Sequence, residues 1–215
     1  NVKKLVMNRI SFFTIIIWMW GVSSGFAVAN FSYLPPYKEY LRNGKMIDLT
    51  IMGTPVATKE QCVSYLLRHN PFPLINTTPK ELVDFYYAEG GREGIRSDVA
   101  FAQALHETGN FRYGGDVISM QNNYCGLGTT GKGVKGAWFP TPRIGVRAQI
   151  QHLLAYTTRR EPSTAIVDPR YELVKSTDKF GQSYTWTELN GKWAVPGKTY
   201  GQMILKIHEN IITGR

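Results

Sequence analysis

The stretch SDVAFAQALHETGNF, residues 97–111, predicts a short amphipathic helix that presents one carboxylate at its end. Ser97 is a favourable N-cap, Asp98 suits the first turn, and Gly109 is a favourable stop. Apolar side chains recur at helical spacing between these ends. Glu107 therefore lies in the last turn of the predicted helix, just before the glycine that ends it.

The position of Glu107 favours a protonated carboxyl group. The partial negative charge at the C-terminal end of a helix disfavours ionisation, and burial would raise the pKa of the carboxyl further. A carboxyl that stays protonated near neutral pH is what a general acid requires. The alternative is a solvated surface glutamate in a fraying last turn, since most glutamates are exposed. The helix alone leaves both interpretations open.

Two downstream segments bear on that choice. They are QNNYCGLG, residues 121–128, and FPTPRIGVRAQIQHLLAY, residues 139–156. Together with AFAQALHETGNF, residues 100–111, they resemble the glucosaminidase family of bacterial cell-wall hydrolases, glycoside hydrolase family 73. The resemblance covers roughly residues 51–212 and rests on the order and spacing of the segments. It implies a lysozyme-like fold and hydrolysis of the β-1,4 bond after N-acetylglucosamine in peptidoglycan.

The resemblance also implies roles for individual residues. It supports Glu107 as the general acid, and Tyr200 matches a tyrosine that the family places near the catalytic glutamate. Asn123, Tyr124 and Gly126 match the Asn-aromatic-x-Gly segment, which predicts substrate binding there. The alternatives are an aromatic anchor of the last helix for Tyr200 and a structural turn for the other three.

A second catalytic group is less clearly indicated. Asp116 is the only carboxylate in the presumed Gly-rich lobe, so it is the candidate by elimination, although it also suits a turn. Glu89 and Glu93 are rivals from the segment that precedes the Glu107 helix. A third possibility needs no second carboxylate, because the N-acetyl group of the substrate can attack the anomeric carbon itself.

Aromatic side chains near these segments are candidate platforms for sugar rings. Their flat faces match the apolar faces of pyranose rings, although each suits a hydrophobic core equally well. Trp138 and Phe139 are the predicted substrate contacts, and Trp186 and Trp193 are further candidates.

No metal or cofactor is expected. The pair His106-Glu107 suggests a zinc protease helix, but that motif requires a second histidine three residues after the glutamate, where Asn110 stands. We expect all four histidines to be structural. Cys62 and Cys125 are too few for a disulfide scaffold, and they are either two buried free thiols or a single pair.

The N-terminus predicts export. Residues 1–29 combine basic residues, an apolar run and a final Ala-Val-Ala, which is typical of a cleaved secretory signal peptide with Asn30 as the mature start. An uncleaved membrane anchor is the alternative. Residues 30–50 are expected to form an extended lead-in, and residues 51–215 the glucosaminidase domain.

Charge indicates the class of partner. The chain has a formal net charge of +9, and between Thr108 and Arg160 the only acidic residue is Asp116, against seven lysines and arginines. Such a surface favours a polyanion. We expect peptidoglycan glycan strands and anionic cell-wall polymers as partners, and contact with a membrane only through an uncleaved N-terminal segment. No nucleic-acid-binding motif is present, so nucleic acid is not expected.

The pattern of elements predicts an α+β domain that is mainly α, with a small Gly-rich β-lobe or loop. Capping boxes begin helices at Thr58 and Thr78, and Gly90-Gly91 is expected to end the second of them. Further helices are predicted at about 144–157 and about 199–211. Residues 113–142 have the composition of loops and short hairpins, and residues 161–196 are expected to be irregular.

Together these features predict a secreted endo-β-N-acetylglucosaminidase that acts on peptidoglycan. A lytic transglycosylase or muramidase on the same kind of fold is an alternative, because it is also built around one glutamate. A non-catalytic wall-binding domain is a further alternative, since binding needs a basic surface but not the carboxyl group.

Overall fold

The computed structural model describes residues 41–42, 45–46, 48–131 and 133–215. The predicted signal or anchor segment and most of the lead-in lie outside these residues. The strands Leu41–Arg42 (β1) and Lys45–Met46 (β2) pair antiparallel. Six α-helices follow: α1 Lys59–His69, α2 Pro79–Glu93, α3 Ser97–Thr108, α4 Pro142–Thr157, α5 Tyr171–Lys175 and α6 Tyr200–Thr213. The expected mainly helical architecture is confirmed.

The central element is α3, which packs against α1, α2 and α6. Ten of its twelve residues are buried, so the expected amphipathic pattern is wrong: neighbours surround the helix, and only His106 and Glu107 are accessible. Arg96 rather than Ser97 occupies the N-cap position. Gly109 ends the helix in the left-handed conformation, as predicted.

Both predicted capping boxes are present, at the starts of α1 and α2. The expected stop at Gly90-Gly91 is wrong, because α2 continues to Glu93. A Cβ atom at Gly90 would lie 2.4 Å from the Ser97 hydroxyl oxygen. The glycine therefore allows α2 and the start of α3 to approach closely, rather than breaking the helix.

A buried carboxylate fixes the beginning of α3. Asp98 accepts hydrogen bonds from the backbone N–H groups of Val56 and Ala57, at 2.7 and 2.9 Å, and pairs with His208 of α6 at 2.7 Å. Burial alone would raise the pKa of Asp98, but His208 and the two N–H donors outweigh it and lower that pKa. This one side chain joins α3, α6 and the segment before α1.

The described residues between positions 113 and 141 form loops rather than a β-lobe. In the described part of this region the structure has one isolated bridge, between Gly131 and Val134, and a 3₁₀ turn at Ser119–Gln121. Side-chain amides hold the loops in place, for example Asn122, which donates to the Phe139 carbonyl at 2.9 Å. A small apolar cluster lies beneath the loops: Cys125, Leu127, Phe139 and Ala148.

The rest of the chain completes the main core. Leu49, from the expected lead-in, is buried in this core, and so is Trp186. Residues 161–196 are largely irregular, as expected, but they contain α5. Cys62 and Cys125 are both free and buried, so the alternative of a disulfide between them is not realised. None of the described helices combines the length and the apolar character that crossing a membrane requires.

Candidate active site

A cavity of about 650 Å³ lies at the C-terminal end of α3. One wall comes from the loop of residues 125–131, and the opposite wall from the end of α4 and from residues 170–195. The lining includes Glu107, Gly126, His152, Arg170, Lys179, Lys192 and Trp193. Glu107 is the only carboxylate among the described residues that line the cavity.

Glu107 is held by a tyrosine from the last helix. The hydroxyl of Tyr200 donates a hydrogen bond to Oε1 of Glu107. Tyr200 is buried, and its hydroxyl oxygen accepts a hydrogen bond of 2.8 Å from Nε2 of Gln103, one turn before Glu107 on α3. Because Gln103 donates to this oxygen, the single hydroxyl proton of Tyr200 is directed at Glu107.

The hydrogen bonding continues into the interior. Oε1 of Gln103 accepts from Nε2 of Gln149 on α4 at 2.8 Å. Oε1 of Gln149 in turn accepts from the Tyr86 hydroxyl on α2 at 2.6 Å. We call these groups the buried relay: Tyr86, Gln149, Gln103 and Tyr200. Each amide has a fixed orientation, because its oxygen and its nitrogen face different partners.

The surroundings of Glu107 change its acidity. The side chain is accessible from the cavity, while protein atoms enclose it on the other sides. This desolvation raises the pKa of Glu107 to about 7, against the opposing effect of hydrogen bonds from Tyr200 and Trp193. Water that reaches the accessible face of Glu107 stabilises the charged carboxylate and so limits the rise in its pKa. A carboxyl with this raised pKa stays largely protonated in mildly acidic solution and partly protonated in neutral solution.

Gly126 borders the carboxyl group from the loop side. A Cβ atom at this position would lie 3.9 Å from Oε2 of Glu107, and the backbone φ of 69° favours glycine. The loop is held by Asn123, whose side chain accepts from the Leu127 N–H at 3.0 Å and donates to the Leu127 carbonyl at 2.9 Å. Asn123 thereby fixes the place of Gly126 in the cavity wall.

The opposite wall contains an aromatic side chain and a histidine that is hydrogen-bonded to a buried aspartate. Trp193 lies nearly parallel to Tyr200, with 15° between the rings and 6.4 Å between their centres. His152 lines the cavity and pairs through Nδ1 with Asp168 at 2.7 Å. This pair agrees with the structural role expected for His152. Among the four candidate aromatic platforms, Trp193 is the one in the cavity lining.

The structure brings together three of the predicted site residues, Glu107, Tyr200 and Gly126. Others lie elsewhere. Three of them, Asn123, Tyr124 and Phe139, are buried in the interior and do not line the cavity. They support the cavity loop from inside the protein. Trp138 is 57% exposed and outside the cavity lining. A direct substrate contact for these four residues stays a prediction.

The three carboxylates predicted as candidates for the second catalytic group make their contacts outside the cavity lining. Asp116 accepts a hydrogen bond from the Gly133 N–H at 3.0 Å, which suits the alternative of a structural turn, and its catalytic role stays a prediction. Glu89 is buried and pairs with three arginines, Arg92, Arg143 and Arg147. Despite burial, these arginines lower the pKa of Glu89. Glu93 accepts hydrogen bonds from the N–H and hydroxyl of Ser163.

Sequence reasoning missed the basic wall of the cavity. Arg170, Lys179 and Lys192 lie in the segment expected to be irregular, where no periodicity places side chains relative to α3. Their positive charge was visible in the sequence, but their place in the lining of the same cavity as Glu107 depends on tertiary packing. Within the described ranges, no group of three or more His, Cys, Asp or Glu side chains is placed to hold a metal ion.

Comparisons with known proteins point to one family. A family model named Glucosaminidase, described as mannosyl-glycoprotein endo-beta-N-acetylglucosaminidase, matches residues 83–212. An uncharacterized protein of Borreliella burgdorferi is 37% identical over 151 residues, which cover 69% of this chain and 70% of that protein. No solved structure matches. The matched family segment includes Glu107, Gly126 and Tyr200.

Proposed function

Because the chain belongs to the glucosaminidase family, whose domain is lysozyme-like and mainly helical, we propose that it is a secreted peptidoglycan hydrolase. It cleaves the β-1,4 glycosidic bond after N-acetylglucosamine, with Glu107 as the general acid. Family membership supports a glycoside hydrolase with peptidoglycan glucosaminidase activity in general. The finer proposal is carried by one observation: Glu107 faces a cavity while Tyr200 holds one of its oxygens and its pKa is raised to about 7.

The first chemical step follows from the state of Glu107. The protonated carboxyl gives its proton to the glycosidic oxygen, and the bond between that oxygen and the anomeric carbon breaks. The Tyr200 hydroxyl donates a hydrogen bond to Oε1 of Glu107. The proton of the carboxyl group is therefore carried by Oε2, which lies on the Gly126 side. The leaving sugar departs as a neutral alcohol, and Glu107 becomes a carboxylate.

The second step needs a nucleophile at the anomeric carbon. Since Glu107 is the only carboxylate among the described lining residues, the lining supports the substrate's own N-acetyl oxygen in this role. That oxygen forms a bond to the anomeric carbon and gives a cyclic oxazolinium ion. The Glu107 carboxylate then takes a proton from water as the water opens the ring, and the acid is regenerated.

Substitution of Glu107 tests the proposal directly. We expect Glu107→Gln to abolish the lysis of purified cell walls while the protein still sediments with them, because the amide cannot supply the proton. The matched control is Glu172→Gln, which changes a glutamate that is 69% exposed and outside the cavity. Lysis by Glu107→Gln at the rate of the unmodified protein would remove Glu107 from the mechanism.

Product analysis separates the related reactions. A new reducing-end N-acetylglucosamine in digested peptidoglycan supports the proposed cleavage, and an anhydromuramic product indicates a lytic transglycosylase. A reducing-end muramic acid indicates a muramidase. Walls that are bound but never cut indicate the non-catalytic wall-binding alternative.

The nucleophile has its own test. A thiazoline analogue of N-acetylglucosamine resembles the oxazolinium ion, so we expect it to inhibit competitively. Asp116→Asn should leave most of the activity intact. A large loss of activity in Asp116→Asn, without inhibition by the thiazoline, would instead assign the second role to Asp116.

The site of action is also part of the proposal. The predicted export segment at residues 1–29 and the basic surface support a place in the cell wall. N-terminal sequencing of the protein recovered from the wall fraction should begin at Asn30. A protein that retains its first residues and fractionates with membranes would support the anchor instead.

A further inference from the structure

Three cationic side chains line the cavity that contains Glu107. Arg170, Lys179 and Lys192 are all half-buried. The structure pairs none of them with a carboxylate of the described residues. The ammonium group of Lys192 is held by neutral groups, the Ser183 hydroxyl at 2.9 Å and the Gln182 carbonyl at 3.2 Å.

Elsewhere the protein places buried carboxylates even beside cations that stay in contact with water: the side chains of Arg143 and Arg160 are each 45% exposed, and that of Arg147 is 21% exposed. Arg143 and Arg147 pair with the buried Glu89, and Arg160 pairs with the buried Glu93. Withdrawing a charge from water is unfavourable unless an opposite charge compensates it. The described lining offers one carboxylate, Glu107, and general acid catalysis requires that group to be neutral. Among the described residues, the positive wall of the cavity therefore lacks an anionic counterpart.

We propose that Arg170, Lys179 and Lys192 bind a carboxylate of the substrate next to the sugar that is cleaved. This inference rests on the proposed function and names the feature of the glycan that the site selects. In peptidoglycan every second sugar carries a lactyl ether, which ends either in a free carboxylate or in a peptide stem with carboxylates of its own. The cationic wall thus favours this anionic glycan over neutral amino-sugar polymers that offer the same β-1,4 bond.

Binding measurements test the inference without any need for hydrolysis. Calorimetry with Glu107→Gln would compare four tetrasaccharides: the peptide-free glycan with lactyl carboxylates, its methyl ester, the peptide-bearing glycan, and neutral chitotetraose. We expect an acidic glycan to bind more tightly than the ester and chitotetraose. If the peptide-free acid already shows this preference, the lactyl carboxylate is the recognised group; if only the peptide-bearing glycan does, the stem supplies it.

Substitutions assign the preference to the cationic wall. Added to Glu107→Gln, each of Arg170→Gln, Lys179→Gln and Lys192→Gln should weaken binding of the acidic glycan on the order of tenfold. Binding of chitotetraose should stay the same. The matched control is Lys198→Gln, at an exposed lysine outside the cavity lining, which should change neither affinity.

Two results would overturn the inference: neither acidic glycan binds more tightly than the ester and chitotetraose, or the wall variants lose affinity equally for acidic and neutral ligands. Failure of the proposed function looks different. In that case the protein with Glu107 intact cuts no glycan, while the preference for the acidic ligand and its loss in the variants persist.

Discussion

The Glu107 carboxyl is enclosed by protein on one side and open to the cavity on the other, and its acidity follows from that position. Desolvation raises its pKa, while Tyr200 and Trp193 favour the charged form and limit the rise. In the proposed mechanism, this position allows a single carboxyl group to act as an acid near neutral pH. The partners that decide this come from α6 and from the segment before it, far from Glu107 in the sequence.

The pH dependence of activity should report this group. Because the acid must be protonated, we expect kcat/KM on a soluble glycan to be constant in acidic solution and to fall as the pH rises through about 7.

A pKa raised on folding also favours the folded state at low pH, and this contribution disappears as the pH rises through the same value. Urea unfolding should therefore show a larger loss of stability between about pH 5 and pH 8 for the unmodified protein than for Glu107→Gln. Identical trends in the two proteins would contradict the raised pKa.

Removal of the Tyr200 hydroxyl should separate positioning from binding. In Tyr200→Phe we expect kcat to fall about 10- to 100-fold with little change in KM, because the carboxyl loses the donor that orients it. The alkaline limb of the pH profile should move to higher pH, since that hydrogen bond lowers the pKa of Glu107. Tyr184→Phe, at a tyrosine that is 63% exposed, serves as the control. An unchanged pH profile in Tyr200→Phe would show that the hydroxyl does not act on the carboxyl.

At the level of elements, the buried relay connects α2, α4 and α6 to Glu107, which lies on α3. It passes from α2 through α4 and α3 to Tyr200 at the start of α6. Its donors and acceptors alternate without a gap, so each amide has one orientation that satisfies all of its partners. The direction of the Tyr200 proton thus depends on residues that do not line the cavity.

Gln149→Leu tests whether that dependence is real. The change keeps a similar volume but leaves the Tyr86 hydroxyl without its acceptor and the Gln103 oxygen without its donor. We expect a loss of about 2–4 kcal/mol in the free energy of unfolding. The remaining folded protein should also have a lower kcat, because the Gln103 amide is free to reverse. Tyr86→Phe, which removes only the far end of the relay, should have a smaller effect on kcat. Reduced stability with the kcat of the unmodified protein would make Gln149 purely structural.

Local signals in the sequence predicted the elements better than their packing. The capping boxes at Thr58 and Thr78 and the glycine stop at Gly109 act within a few residues, so they were readable without the fold. The end of α2 could not be predicted in this way. Gly90 allows a close approach to Ser97 on the next helix and does not end its own helix. Likewise, Glu107 and Tyr200 were found through family segments, while the cationic wall depends on how an irregular segment returns to α3.

For the whole molecule, the positive charge has two separate uses. The chain has a formal net charge of +9, of which Lys3, Lys4 and Arg9 in the predicted export segment contribute three, so cleavage leaves +6. We expect this charge to draw the protein to anionic polymers over distances set by the salt concentration, whereas the cavity acts at contact. A rise in salt from about 0.05 M to about 0.5 M shortens the screening length several-fold and weakens only long-range attraction between exposed charges.

Added salt should therefore weaken attachment to the cell wall and leave the binding of a neutral glycan in the cavity nearly unchanged. With Glu107→Gln, we expect sedimentation with purified walls to weaken steeply over that range of salt, because the anionic wall polymers and the basic surface are both exposed. Binding of chitotetraose, which carries no charge, should change little. If wall binding were equally strong at both salt concentrations, attachment would depend on specific contacts rather than on net charge. If chitotetraose binding fell in parallel with wall binding, the added salt would be acting on the fold or on the cavity itself, and the separation between the two uses of charge would be wrong.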